Sequence, residues 1–410
     1  MARTSRTDGG GTDRRSLLRG AVTAAGAAAA APLLGGAAAA RTRDDDRPTG
    51  TIPPDTRPGG AYDRYIAKLA AEDRFSGVVL LAHRGRTILS RSHGMADKEK
   101  GIRNHEGIAF NQYGGPFVSL SVMQLAQQGK VKLWDTVGTY VTGFAKEVAE
   151  RVRIHHLLLG TSGLSFPEHD YERVFHSKEE QLEYSRRYAR QAKPVTLPGA
   201  GSEKPGWGHE VVVQIIEAVT GMTFWDYVHE HIFKPCGMTG SGFFTRPQWL
   251  TDEHIAHSYI KQADGSRVDA VRNLDKGSPY PGMAQNNARY FVPNGGFVTA
   301  PDMVRLVEGL YDGTVLDPLW ADVYLSVKAP NFRGGSGFTT YDAPTHMVAG
   351  QWEIGRGGPH PGSSTYYSIF PDTGWVGIVL SNYDDIPMME ILDNQSKAIT
   401  GEPLDDGVGG

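Results

Sequence analysis

The 410-residue chain is 40% hydrophobic and carries 51 Gly and 24 Pro, which suits a mixed fold with many turns and excludes a simple helical bundle. Its formal net charge is −4; without residues 1–40 the balance is 37 basic against 44 acidic residues, or −7, so no basic field is left to attract nucleic acid or an anionic membrane. A single cysteine, Cys236, excludes an intramolecular disulfide, and its place between Pro235 and Gly237-Met238 suits a buried, inert thiol.

At the N-terminus, Arg14-Arg15 precedes a stretch over 20–40 that is almost all Ala, Gly, Leu and Val and ends in Ala38-Ala39-Ala40. A basic region, a weakly apolar region and a small-residue cleavage site stand in the order of a secretory signal, and the paired arginines resemble a twin-arginine signal. Residues 1–40 are therefore expected to be removed on export, giving a secreted protein with no membrane partner afterwards. No cysteine follows the segment, which excludes a lipoprotein. Residues 41–60 are charged and Pro-rich without periodicity and are expected to form a disordered linker.

Helical spacing runs over 61–71. Residues 75–82 predict a buried strand, 84–86 a turn and 87–92 its partner. From 116 to 128 the period is helical, with Pro116 tolerable only in the first turn. Two further helices are predicted over 211–219 and 224–232. Strands over 365–370 and 375–380 flank Pro371-Asp372-Thr373-Gly374, a hairpin signal, and a helix over 386–400 closes the chain. Strands at both ends with helices between them predict one shared sheet.

Several motifs resemble, in order, the class C β-lactamase, DD-peptidase and esterase family over about residues 61–400. They are Phe75-Ser76-Gly77-Val78-Val79, the segment Gln124 to Asp135 with Gly129-Lys130, Ile154-His155-His156-Leu157 through Thr161-Ser162-Gly163-Leu164, Pro198-Gly199, Ile215-Ile216-Glu217, Gly295-Gly296-Phe297-Val298 and Phe370-Pro371-Asp372. The resemblance implies an α+β fold of the β-lactamase and penicillin-binding-protein type. An antiparallel sheet would come from 61–110 and about 290–400, a helical subdomain from about 116–290, with a cleft between them.

The resemblance also places the family's catalytic positions. Counted back from Gly129, the serine and lysine of Ser-x-x-Lys fall on Gln112 and Gly115. The Tyr-x-Asn motif reads Lys204-Pro205-Gly206, and the Lys-Thr-Gly or His-x-Gly motif reads Arg356-Gly357-Gly358. An amide is no useful nucleophile and glycine offers no base, so acyl transfer loses its machinery. Ser119 and Ser121 read as packing residues, and Ser258-Tyr259-Ile260-Lys261 as a chance match in a surface hairpin.

The altered cleft predicts a cationic pocket for a small molecule, carboxylate-bearing or acylated. Tyr113, Lys204 and His209 are the candidates for acid–base work, with Gln112, Trp207, Arg356 and His360 as ligand contacts. Arg356 would clamp the anion. Two functions remain open: non-covalent acid–base chemistry (isomerisation, cyclisation or elimination) and silent binding of a cell-wall peptide or β-lactam-like ligand. A third is hydrolysis through another nucleophile. No cofactor is expected, and neither His155-His156, His229-Glu230-His231 nor His254 with His257 forms a metal motif.

Overall fold

The structure, a computed structural model, describes residues 51–112, 115–200, 208–279, 286–289, 296–330, 338–341 and 343–404. The expected signal, the linker as far as residue 50, and Tyr113, Lys204 and Trp207 lie outside the described residues.

Residues 51–60 are folded rather than a free tether. Pro54–Thr56 forms a 3-10 turn with Thr56 fully buried, and Gly59 N–H donates to Asp63 Oδ2 at 2.7 Å. Charged side chains and prolines, read as a disorder signal, here close local hydrogen bonds and fix turn geometry. The turn leads into α1 (Ala61–Ala71).

Next come β1 (Gly77–His83) and β2 (Arg86–His93), then the short β3 (Phe110–Gln112), which runs toward α2 (Phe117–Gln127). Every residue of α2 from Phe117 to Ala126 is buried, as expected of a helix enclosed by core on all sides. Helix α3 (Lys178–Ala189) and α4 (His209–Thr220) follow, then α5 (Phe224–Val228), which continues into a π-helical turn at His229–Phe233 where a plain helix was predicted.

The hairpin β4 (Tyr259–Lys261) and β5 (Arg267–Asp269) precedes β6 (Gly296–Val298) and α6 (Ala300–Tyr311). The chain ends with β7 (Ala329–Pro330), β8 (Phe338–Thr339), β9 (Pro344–Val348), β10 (Gln351–His360), β11 (Ser363–Phe370), β12 (Trp375–Ser381) and α7 (Met388–Thr400).

Eight strands form one sheet in the order β7-β8-β9-β10-β11-β12-β1-β2. Strands from the two ends of the chain meet one strand in from its β2 edge, where β1 and β12 pair antiparallel with Leu80 opposite Ile378. Both are buried on both faces, which explains why they read as nearly continuous apolar runs. Val79, Leu81 and Val379 pack on one face with Ile66 of α1 and Ile391 of α7. Val78, Leu80 and Ile378 pack on the other with Leu120 of α2, Ile215 of α4 and Met303 of α6. Among the described residues no single helix is long and apolar enough to cross a membrane; the apolar pair formed by α4 and the segment from Phe224 is bent by 76°.

Candidate active-site cleft

The cleft is built where β3, the start of α2, the start of α4 and β10 converge. Gln112 ends β3 opposite Gly296 and is 1% exposed; its Oε1 has no hydrogen-bond partner among the described residues. An unmatched buried carbonyl costs about 1–3 kcal/mol, so this atom invites a donor. Pro116 caps α2 and brings no N–H, and the helix starts at Phe117, as the proline demands. A Cβ on Gly115 would stand 2.9 Å from Phe117 Cε2, so that position is fitted to a residue without a side chain.

Arg356 lies on β10 beyond the stretch paired with β9, which ends at Thr345 opposite Ile354; from residue 355 on, the recorded pairing of β10 is with β11 alone. Its Nη2 donates to His209 Nδ1 at 3.4 Å. A guanidinium can only donate, so Nδ1 presents its lone pair and the ring carries its proton on Nε2. His209 opens α4 and is 8% exposed. Gly208, just before it, packs against Leu157, where a Cβ would come within 2.2 Å of Leu157 Cδ2. Two of the expected site residues, from sheet and helical layer, are thus brought together.

His360 does not join them as a proton carrier. It ends β10, buried, with Nε2 2.7 Å from Ser363 Oγ, and burial pulls its pKa down to about 4. It is neutral at physiological pH and belongs to the interior of the β10–β11 hairpin. Ser363 in turn reaches toward Asn111 O at 3.5 Å, which ties the hairpin to β3.

Close to that hairpin tip, Asp384 is buried; its Oδ1 accepts Lys261 N–H at 3.0 Å and its Oδ2 has no hydrogen-bond partner among the described residues. Burial, and after it the charge of Asp385, pushes its pKa up to about 6. Asp385 itself is held by Lys261 and Arg267. A carboxyl whose pKa rises on folding contributes stability fully present below the unfolded value, near pH 4, and lost as pH rises through about 6. Asp384→Asn is therefore expected to stabilise the protein at pH 8 by up to about 2–3 kcal/mol, at 1.36 kcal/mol per pKa unit, with the gain vanishing near pH 4. Urea unfolding at both pH values measures this, and an equal effect at each would contradict it.

The alternative nucleophiles read from sequence are packing groups. Ser119 Oγ donates to Pro116 O and contacts Tyr324 Oη, and Ser121 Oγ donates to Phe117 O. Ser258 is 3% exposed beside the β4–β5 hairpin. Cys236 is half-buried, and burial raises its thiol to about 11, so it stays protonated.

Among the described residues one group could hold a metal: Asp97, His257 and Asp269, with ligand atoms within 4.8 Å of one another. Arg272 occupies the position a cation would take. Its Nη1 and Nη2 donate to Asp97 at 3.0 and 2.7 Å, Nη1 also donates to Asp269, and it lies 3.0 Å from His257 Nδ1. Burial opposes ionisation of both aspartates, but hydrogen bonds and charge from Arg272 and His257 outweigh it and hold their pKa values below the usual range. The donor set is already neutralised, which fits an internal ion cluster and not a metal centre. Of its members only His257 was singled out in the sequence.

Residues 62–402 match the family model described as Beta-lactamase, and the chain belongs to that family. PbpX of Bacillus subtilis (strain 168) is 27% identical over 295 residues, covering 69% of this chain and 66% of its own length, just under two thirds. Esterase EstB of Burkholderia gladioli is 28% identical over 280 residues, covering 60% of this chain and 69% of EstB. Among solved structures, the octameric penicillin-binding protein homologue from Pyrococcus abyssi superposes with a TM-score of 0.67 at 20% identity, covering 83% of this chain and 77% of that one. That likeness shows the fold: an antiparallel sheet with helices, shared with penicillin-binding proteins and esterases.

Proposed function

We propose that this chain has left the acyl-transfer chemistry of its family and uses the cleft non-covalently, on a carboxylate-bearing or acylated small molecule. The observation that carries the reading is the contact between Arg356 on the sheet and His209 at the start of α4. A ligand carboxylate would draw the guanidinium into a charge-assisted pair. His209 Nδ1 would then be released as a proton acceptor for isomerisation, cyclisation or elimination. Gln112 and Gly115, at the positions that the resemblance gives to serine and lysine, supply neither nucleophile nor base.

A test is intact-mass measurement after incubation with a fluorophosphonate or a labelled β-lactam. No stoichiometric adduct is expected, and a serine adduct would return the protein to the hydrolases. Thermal shifts across carboxylate-bearing metabolites, followed by product analysis, separate turnover from binding alone. Silent binding is the second reading, since Arg356, the group that would clamp a carboxylate, can donate but cannot itself accept a proton. For any carboxylate ligand so found, Arg356→Ala should weaken binding about 10–100-fold, from the 1.5–3 kcal/mol of a charged hydrogen bond. Titration calorimetry reads this, and an unchanged Kd would remove Arg356 from the site.

We also propose that residues 1–40 direct export through the paired arginines. N-terminal mass mapping of the extracellular protein tests this, with Arg14→Lys/Arg15→Lys expected to retain it in the cell.

A further inference from the structure

The sheet face that packs against α7 holds a buried carboxylate. Glu353 on β10 is 3% exposed. Ser368 Oγ donates to its Oε1 at 2.7 Å and Ser396 Oγ to its Oε2 at 3.3 Å. Gln395 Nε2 donates to Ser368 Oγ, which turns that hydroxyl's own proton toward the acid. His346, directly opposite on β9 and exposed, brings its Nε2 to 3.4 Å from Oε2. Among the described residues this is the only ion pair that Glu353 makes.

The other groups around the pair do not replace that cation. The diagonal neighbours of His346 on β10, Gln351 and Gly355, are uncharged. Tyr366 of β11 is neutral, since burial, and after it the charge of Glu353, push its phenol far up. On α7, Asp393 and Lys397 pair with each other at 2.8 Å. A carboxylate only accepts, so His346 Nε2 carries a proton whatever the charge of the ring. The proton that leaves as pH rises is the one on Nδ1, and its loss strands a buried negative charge without a cation. The hydrogen bond to Glu353, joined by its charge, outweighs burial and holds the His346 pKa above its ordinary value. A histidine raised in this way stabilises the fold fully below its unfolded value, about pH 6.5, and the gain is lost as pH rises through the folded value.

What the pair fastens is the weak edge of the sheet. Strands β7 and β8 have two residues each. The turn from β9 to β10 has Ala349 at φ +46°, the left-handed region that favours glycine, so it works against the hairpin it closes. The other side-chain tie is Thr345 Oγ1, which donates to Glu353 O at 2.7 Å. We propose that His346 and Glu353 form a proton-controlled clasp: with His346 charged it fastens β7–β9 to β10, and its release above neutral pH lets this edge open locally. Glu353 and Arg356 stand three apart on β10 and point to opposite faces, so the clasp does not depend on how the cleft is used.

The test is hydrogen exchange read by mass spectrometry at pH 6.0 and 8.5, corrected for intrinsic exchange and referred to β1 peptides in the same sample. Opening of Pro344–Val348 relative to β1 should rise at least about threefold at pH 8.5. His346→Gln, at an exposed position, should open equally at both pH values, because glutamine does not titrate. Asp384, which titrates near pH 6, is present in both proteins, so the difference belongs to His346. In proton NMR the His346 resonance, assigned by its absence from His346→Gln, should titrate at lower pH in Glu353→Gln than in the parent. If Glu353→Gln does not fold, His346→Gln carries the exchange test by itself. Equal corrected opening of the parent at the two pH values would overturn the proposal. So would a pH dependence that survives in His346→Gln, or an unchanged His346 titration in folded Glu353→Gln.

Discussion

Arg272→Met should cost the protein about 3–5 kcal/mol of stability, the penalty for removing one partner of a buried ion pair. Asp97 is 4% exposed, and with Asp269 it faces a single guanidinium. Met preserves much of the volume of arginine but none of its charge, leaving two carboxylates and His257 to settle among themselves in a desolvated space. The pH dependence gives a second readout. In the parent, both aspartates have pKa values lowered by folding, so their contribution is present above the unfolded carboxylate range and lost as pH falls through the folded values. In the variant the carboxylates gain from protonation, so the deficit should shrink as pH falls below 5. Urea unfolding at pH 7.5 and pH 4.5 measures both. A deficit under about 1 kcal/mol at pH 7.5, the size typical of an exposed pair, would show that the cluster is a surface ornament.

That cluster also marks the limit of sequence reading. Asp97 and Arg272 are far apart in the chain, and no local pattern links them; only the β4–β5 hairpin folding back toward the short Met95–Asp97 strand does. The sheet was more legible, because the aromatic and β-branched run over 365–370 and the turn at Pro371-Asp372-Thr373-Gly374 are local properties, realised as β11 and β12. Helix α4 was legible for the same reason, through its apolar spacing. Helix α3 was missed, since its sequence is mostly polar and offers a weak apolar face. Its start was nevertheless written locally: Ser177 accepts the Glu180 N–H, the capping pair that Ser-x-x-Glu encodes. In the cleft, sequence reasoning found Gln112, His209 and Arg356 only through a family resemblance. It could not find that Arg356 donates to His209, because a strand and a helix start 147 residues apart are joined by tertiary packing alone.

The double substitution Gln112→Ser with Gly115→Lys should leave the protein without an acyl-enzyme, although it writes a Ser-x-x-Lys pattern at the positions that the resemblance gives to that motif. The lysine meets steric resistance first. A Cβ at residue 115 would press on Phe117, which is fully buried and in edge contact with Phe233 at 5.0 Å and Phe243 at 6.2 Å. An aromatic cluster of this kind yields less readily than a flexible side-chain tip, and overpacking costs about 1–3 kcal/mol. The proton path is also incomplete. Arg356 stands where the resemblance implies a lysine or histidine, and a guanidinium, which only donates, cannot accept a proton. Intact mass after incubation with a fluorophosphonate should therefore show no stoichiometric adduct, and urea unfolding should show a loss of stability. Rapid, complete acylation of the double variant would show instead that two side chains were all that separated this cleft from a working serine hydrolase.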